Sequence, residues 1–237
     1  MITYKQFIIN ESYVPEPNTQ YGSNEGGIHL NTETNKREYV KFPKTTEQAN
    51  VEAATSDLYK QMGISTVNAK VKNIKGKTAV TSDWNPNLRS FRSANDILEA
   101  AKDPKIAKQL AKIHHAAVLT GNYDVIGLAY DNIFHDKQTG NIVSMDQGGA
   151  MHFRAQGKPK PFNKSIDEVN SFQNPIYTTG RVFGHLDPKH LSDASRDLQG
   201  LTDEHIDSVL RPHKLDHLGD TIKARRDMLI AHYRGTK

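Results

Sequence analysis

Two short runs, GGIHLNT (26–32) and REYVKF (37–42), are separated by residues of turn composition, Glu33-Thr34-Asn35-Lys36, and read as a strand pair. Pro43 ends the second strand. Thr45 or Thr46 then caps a helix running to about Met62, with Val51, Thr55, Leu58 and Met62 on one stripe and Gly63 as its stop. AKVKNI and TAVTS, joined by Lys75-Gly76-Lys77, predict two further strands. Residues up to about 85 therefore predict a small sheet with one helix against it. Ahead of them, MITYKQFIINE (1–11) suits a short amphipathic helix, and SYVPEPNTQYGSNEGG has the Pro, Asn, Ser and Gly content of a linker turning into a loop.

The remainder predicts mostly helices, at Ser93–Ala101, Pro104–Leu119, Ser165–Phe172, Asp187–Ser195, Thr202–Val209 and His217–Tyr233. Ile106, Leu110, Ile113 and Ala117 share one face of the second. One strand pair interrupts them, NIFHD and NIVSMD, turning at Lys137-Gln138-Thr139-Gly140. There is no internal repeat or low-complexity tract. The expected class is α+β, with 1–11 as a leader, 12–90 as a β-rich lobe and 91–237 as a helical lobe.

Composition narrows the chemistry. The 237 residues include no cysteine, which excludes disulfides, Cys-ligated zinc, iron–sulfur clusters and thiol catalysis. Apolar residues make up 36 % and charged residues 24 %, enough for a core under a polar surface. No apolar run is long enough to cross a bilayer and the N-terminus lacks an h-region, so no membrane partner is expected. The net charge of +4 permits nucleic-acid contact. The cations are scattered, apart from Lys158-Pro159-Lys160 and Arg225-Arg226, so nucleic acid is not the favoured partner.

The candidate chemistry lies in TGNYDVIGLAYDNIFHDKQTGNIVSMDQGG, residues 120–149. Asp124 sits on a loop after a helix. Asn132 opens one strand of the hairpin and Asp146 follows its partner, so a tight turn brings the two together from fourteen positions apart. Both offer oxygen to a hard cation such as Mg²⁺. Asp124 is placed to accept a proton from an attacking hydroxyl.

This order of residues resembles the catalytic core of the protein-kinase-like superfamily, in particular its atypical HipA-like and phosphoinositide-kinase-like branch. The resemblance implies a bilobal fold that uses ATP and Mg²⁺, with Asp124 as catalytic base and Asn132 and Asp146 as metal ligands. It also implies that Lys41 in YVKF holds phosphates and that Glu52 on the next helix pairs with that lysine. GSNEGG then stands where a glycine-rich phosphate loop would lie, through Gly22, Ser23, Asn24, Gly26 and Gly27. The chain is similar as well to phage and bacterial kinase-like proteins carrying GSN-x-GG, Y-V-K-F, G-N-x-D, D-N-I and F-R-A-Q-G blocks. Departures exist. No His-Arg-Asp triplet precedes the loop, Asp124 and Asn132 are eight positions apart where protein kinases use five, and Gln147 replaces a phenylalanine. Asp131 is an alternative base, with a turn role as its plainer reading.

Other residues carry weaker expectations. His114-His115 read as helix-end histidines favoured by the dipole. His213 and His217, spaced i, i+4, lack a third zinc ligand and read as a solvated helix start. Trp84 either docks an adenine ring or packs in the interior. Arg154, Lys158 and Lys160 either engage phosphate or an acidic protein substrate, or form a solvated loop.

MITYKQFIINE resembles the capsid-targeting leader of internal head proteins of T-even-like phages, with Ile9-Asn10-Glu11 fitting the cleavage triplet. That resemblance implies a kinase packaged in the virion head, then acting on a host protein in the host cytoplasm. Two rivals stand beside it: a pseudokinase that binds a host protein without chemistry, and a head protein that coats DNA.

Overall fold

The computed structural model describes residues 12–20 and 25–234. The leader and the loop residues Gly22, Ser23 and Asn24 lie outside the described residues. The N-terminal elements are β1 (Tyr13–Pro15), β2 (Gly26–Asn31), β3 (Lys36–Lys41), helix α1 (Thr46–Gln61), β4 (Ser65–Thr66), β5 (Lys70–Ile74) and β6 (Lys77–Asp83). Five of the strands form one antiparallel sheet in the order β1-β2-β3-β6-β5. The β2–β3 turn closes because the Asn31 side chain accepts from the backbone of Glu33 and Thr34.

Thr45 caps α1, its side chain accepting from the Gln48 N–H. Two faces of α1 are buried, which a single stripe did not convey. Ala49 and Ala53 pack on Ala69 and Val80 of the sheet lobe, whereas Val51, Leu58 and Tyr59 enter the large helical core. The helix is thus a wedge shared by both lobes.

A second sheet, in the order β4-β9-β8-β7, joins them. It adds β7 (Leu88–Ser90), β8 (Ile133–Asp136) and β9 (Ile142–Ser144), with β4 running parallel to β9. The helical lobe holds α2 (Ala94–Ala100), α3 (Pro104–Thr120), α4 (Glu168–Ser171), α5 (Thr178–Phe183), α6 (Pro188–Leu198), α7 (Asp203–Leu210) and α8 (Gly219–Tyr233). Helix α3 is its axis, with Leu110, Ile113 and Ala117 fully buried.

Several expectations need correction. Residues 12–20 are not a linker: Tyr13 is buried and its hydroxyl donates to Glu38, while Thr19 Oγ1 accepts from the Ile28 N–H. The helix expected over 165–172 shrinks to four residues. Arg225 draws on the carbonyls of Asn163 and Ser165, which keeps that stretch out of a helical ladder. Helix α5 was not foreseen, because Thr178, Thr179, Gly180 and Val182 are weak helix formers. Gly180 is nonetheless needed there, since a Cβ would fall 1.8 Å from the Asn174 carbonyl oxygen. His114 and His115 are not helix-end residues but fully buried ones, their rings against Phe172, Phe183 and Tyr233.

Candidate active site

Lys41 is the last residue of β3. Its neighbour Val40 points into the cluster with Tyr13, Ile74 and Ala79, so strand alternation turns Lys41 to the opposite face, toward α1. Its ammonium lies 2.7 Å from Glu52 Oε1 and 2.7 Å from Asp146 Oδ1. With only 11 % of its side chain exposed, it is not a solvent-facing strand lysine. Gly26 pairs opposite Lys41, and a Cβ there would sit 2.1 Å from the Val40 carbonyl oxygen. Glycine is therefore required at position 26 for β2 to lie on β3.

Helix α3 stops at Gly121, which is left-handed at φ 59. The chain then folds back through Asn122, whose side-chain oxygen accepts from the Asp124 N–H at 3.1 Å. Gly127, at φ 75, reverses it again beneath the Asp131 carboxylate, so Asp131 belongs to a turn. The hairpin sets Ile133 opposite Ser144, and Met145 N–H donates to the Asn132 carbonyl. Asn132 and Asp146 thus meet at the hairpin mouth. The Asn132 amide nitrogen donates to the Asp124 carbonyl at 2.6 Å.

Asp146 occupies a left-handed conformation, φ 53, that a non-glycine residue adopts at a cost. Its carboxylate accepts from the Gly148 N–H, and Lys41 beside it holds its pKa below the usual range. A Cβ on Gly148 would stand 3.0 Å from Glu52 Oε2 and 3.6 Å from Lys41 Nζ, so this glycine closes the lysine–carboxylate cluster. Gly148 and Asn122 shape the cluster, and the sequence reading gave neither a role of its own. The Asp-x-Gly spacing at 146–148 was the available signal.

Burial and the charge of Asp146 push Asp124 up to about 6. Burial also raises Glu52 to about 6 against the pull of Lys41, whose own pKa is raised because Asp146 and Glu52 outweigh its desolvation. Among the described residues no cluster of three His, Cys, Asp or Glu side chains is arranged to hold a metal. A cation here would rest on Asn132, Asp146 and oxygens brought by a substrate. The donor set fits that use: both residues offer hard oxygens, and the charge of Asp146 still raises Asp124 although Lys41 pulls the other way.

No family model matches the sequence, and no curated protein matches it. Solved structures do. A proinflammatory kinase of Helicobacter pylori, CtkA, superposes with a TM-score of 0.63 at 15 % identity, covering 92 % of this chain and 95 % of that one. HipA of Shewanella oneidensis, solved with HipB and operator DNA, superposes with a TM-score of 0.51 at 12 % identity, covering 84 % of this chain and 61 % of that one. The chain has a HipA-like, protein-kinase-like fold. Its curled sheet and its helical part are the two lobes, and the cluster of Lys41, Glu52, Asp124, Asn132 and Asp146 lies where they meet.

The remaining candidates separate. Trp84 is half-buried just beyond β6, its backbone N–H donating to the Arg37 carbonyl, beside a groove of about 430 Å³ lined by Lys36, Arg37, Asp83 and Pro86. Arg37 lies four residues from Lys41, roughly 13 Å along the strand. His213 is not a solvated helix start: it ends a single 3-10 turn, its side chain is 16 % exposed, and it pairs with Asp57 of α1 at 3.1 Å. Arg154 and Lys158 are exposed. Lys160 is not part of a solvated loop: it is 9 % exposed and bound to three backbone carbonyls. Burial, helped by the charges of Arg154 and Arg225, pushes its pKa down to about 7 against the pull of Glu168. The Arg225-Arg226 pair is likewise committed inside the fold, Arg225 to Glu168 at 2.8 Å and Arg226 to Asp203 at 2.7 Å.

Proposed function

We propose that this chain is an ATP- and Mg²⁺-dependent phosphotransferase acting on a hydroxyl of a host protein. The observation that carries the reading is the convergence of Lys41, Glu52 and Asp146 within ion-pair distance, with Asn132 hydrogen-bonded to the loop of Asp124. In this reading Glu52 holds Lys41 so that its ammonium faces the phosphates. Asn132 and Asp146 would hold the metal, which would neutralise phosphate charge. Asp124 orients the acceptor hydroxyl and takes its proton.

Packaging in a phage head belongs to the same proposal and rests on the likeness of residues 1–11 to a capsid-targeting leader. The commitment of Arg225, Arg226 and Lys160 to internal partners weighs against a DNA-coating role, which needs free cations. The test is incubation with γ-labelled or α-labelled ATP and host lysate. Label from the γ position on a host protein supports the proposal. Label from the α position redirects it to nucleotidyl transfer, and nucleotide binding without transfer of either label would replace it with a pseudokinase.

A further inference from the structure

Lys160 lies fourteen residues beyond Asp146. Its ammonium donates to the carbonyls of Gly149, at 3.0 Å, and of Met151 and Phe153. Three acceptors use all three N–H donors of an ammonium group. For alternate carbonyls to converge on one atom the backbone must curl around it, and Met151 sits at φ 51, a left-handed value that a side chain adopts at a cost. The curl is closed behind by Arg154 N–H donating to the Lys158 carbonyl and Lys160 N–H donating to the His152 carbonyl.

Both ends of this curl touch the candidate machinery. At its start, a Cβ on Gly149 would stand 3.2 Å from Asp124 Cβ and 3.4 Å from Asn122 Oδ1. At its far side, Gly157 lies under the buried Gln48, and a Cβ there would be 2.7 Å from Gln48 Oε1. His152 Nε2 is 3.1 Å from Glu47 Oε1. Glu47 and Gln48 open helix α1, whose next turn carries Glu52.

We propose that Lys160 is a positioning residue whose ammonium ties 149–153 into a shelf seating the first turn of α1, which fixes Glu52 and Lys41 relative to Asp124 and Asp146. Its catalytic consequence rests on the phosphotransferase reading, whereas the shelf itself does not. A lysine that merely filled space would have no reason to satisfy three carbonyls of one segment. Methionine, of similar length and apolar, reproduces its packing but none of its hydrogen bonds.

The test is amide hydrogen exchange on the full chain, without nucleotide, for wild type, Lys160→Met, Lys160→Ala and the exposed control Lys158→Met. Lys160→Met should speed exchange at least tenfold across 149–157 and in the first turn of α1, with α6 and α8 unchanged. Propylammonium replaces the atoms missing from Lys160→Ala and should restore protection in that variant alone. The control should match wild type. If the Lys160 variants do not fold, Gln48→Ala must loosen the first turn of α1 and leave 149–153 protected. Exchange that rises evenly over all helices, or protection at 149–157 that survives Lys160→Met, overturns the proposal. Transfer assays on the same samples should show kcat at least tenfold lower in Lys160→Met, recovering in Lys160→Ala with propylammonium. A wild type that transfers no phosphate overturns the phosphotransferase reading, while the exchange arm still decides the shelf.

Discussion

The Asn132 side-chain amide donates to the Asp124 backbone carbonyl at 2.6 Å, although eight positions separate the two residues. The chain between them reverses at Gly127, φ 75, which lets the Asn132 side chain reach back to that carbonyl. The amide therefore has two tasks in the proposed site. Its nitrogen fixes the loop of Asp124, and its oxygen would serve as the metal ligand.

The two tasks predict different outcomes for two substitutions. Asn132→Ala should lose both metal-dependent nucleotide binding and transfer. Asn132→Asp keeps an oxygen ligand but exchanges a donor for a carboxylate oxygen facing the Asp124 carbonyl. It should retain a metal-dependent thermal shift while transfer falls by roughly 10–100-fold, the loss expected when a supporting hydrogen bond at a metal site is removed. Equal loss of the thermal shift in both variants would show that the Asn132 nitrogen has no separate role.

Much of this arrangement was legible in the order of the residues. The hairpin flanked by Asn132 and Asp146 is a local pattern, whereas the pairing of Lys41 with Glu52 was implied by the kinase-like resemblance, and the contact of Lys41 with Asp146 spans 105 positions. What escaped was long-range. Nothing near Tyr13 signals that it will bury against Glu38, 25 positions away, because Pro15 and Asn18 give its surroundings the composition of a linker. Lys160 reads as a surface cation because its three partners are backbone carbonyls, which no side-chain pattern records. His114 and His115 misled for a related reason: the aromatic rings around them come from α5, α8 and Phe172, all distant in sequence.

The Lys41–Glu52 pair is buried on both sides, so breaking it leaves an unpaired charge in a poorly hydrated place. Lys41→Met should destabilise the protein, with a pH dependence that follows from Glu52. Burial holds its carboxyl above the unfolded value, and removing the lysine raises it further. The cost is then largest at pH 8, where Glu52 is ionised, and fades as pH falls toward 4, where Glu52 is protonated in both states. Thermal melts of Lys41→Met, Glu52→Gln and the double variant at pH 5 and pH 8 check this. The double variant should be more stable than Lys41→Met at pH 8. In transfer assays the double variant should be little worse than the worse single one, because the two residues act as a unit.

The start of the sheet gives a prediction about processing. The Thr32 N–H donates to the Ser12 carbonyl, and Ser12 Oγ donates to Glu33, so Ser12 is tied to the sheet. A chain beginning at Ser12 should melt within a degree or two of the full chain. One beginning at Thr19 loses Tyr13, with its contacts to Glu38 and Lys72, and should melt several degrees lower. If the protein is packaged and cleaved after Glu11, mass spectrometry of purified particles should find Ser12 as the first residue. Intact Met1, or absence from the particle, would dismiss packaging and leave the phosphotransferase proposal as it stands.

Asp124 and Asp146 are both carboxylates at one site, yet their surroundings drive them apart. Lys41 keeps Asp146 ionised, and Asp146 together with burial raises Asp124 to about 6. As a general base Asp124 must be ionised, so kcat/KM, which reports the free enzyme, should rise with pH through about 6 and level off above it. Asp124→Asn should abolish that limb and lower transfer by roughly 10²–10⁴-fold. It should also be more stable than wild type above pH 6, because a carboxyl whose pKa rises on folding is destabilising once ionised. The difference should vanish below pH 4, where the wild-type group is protonated both folded and unfolded. Asp146→Ala separates the roles. A ligand at a hundredfold excess over Kd stabilises the folded state by about 2.7 kcal/mol, so wild type and Asp124→Asn should both show a thermal shift with Mg²⁺ and ATP that chelation removes. Asp146→Ala should lose that shift together with all transfer. A shift that persists in Asp146→Ala would take the metal away from this residue, and a pH profile unchanged in Asp124→Asn would take the proton away from Asp124.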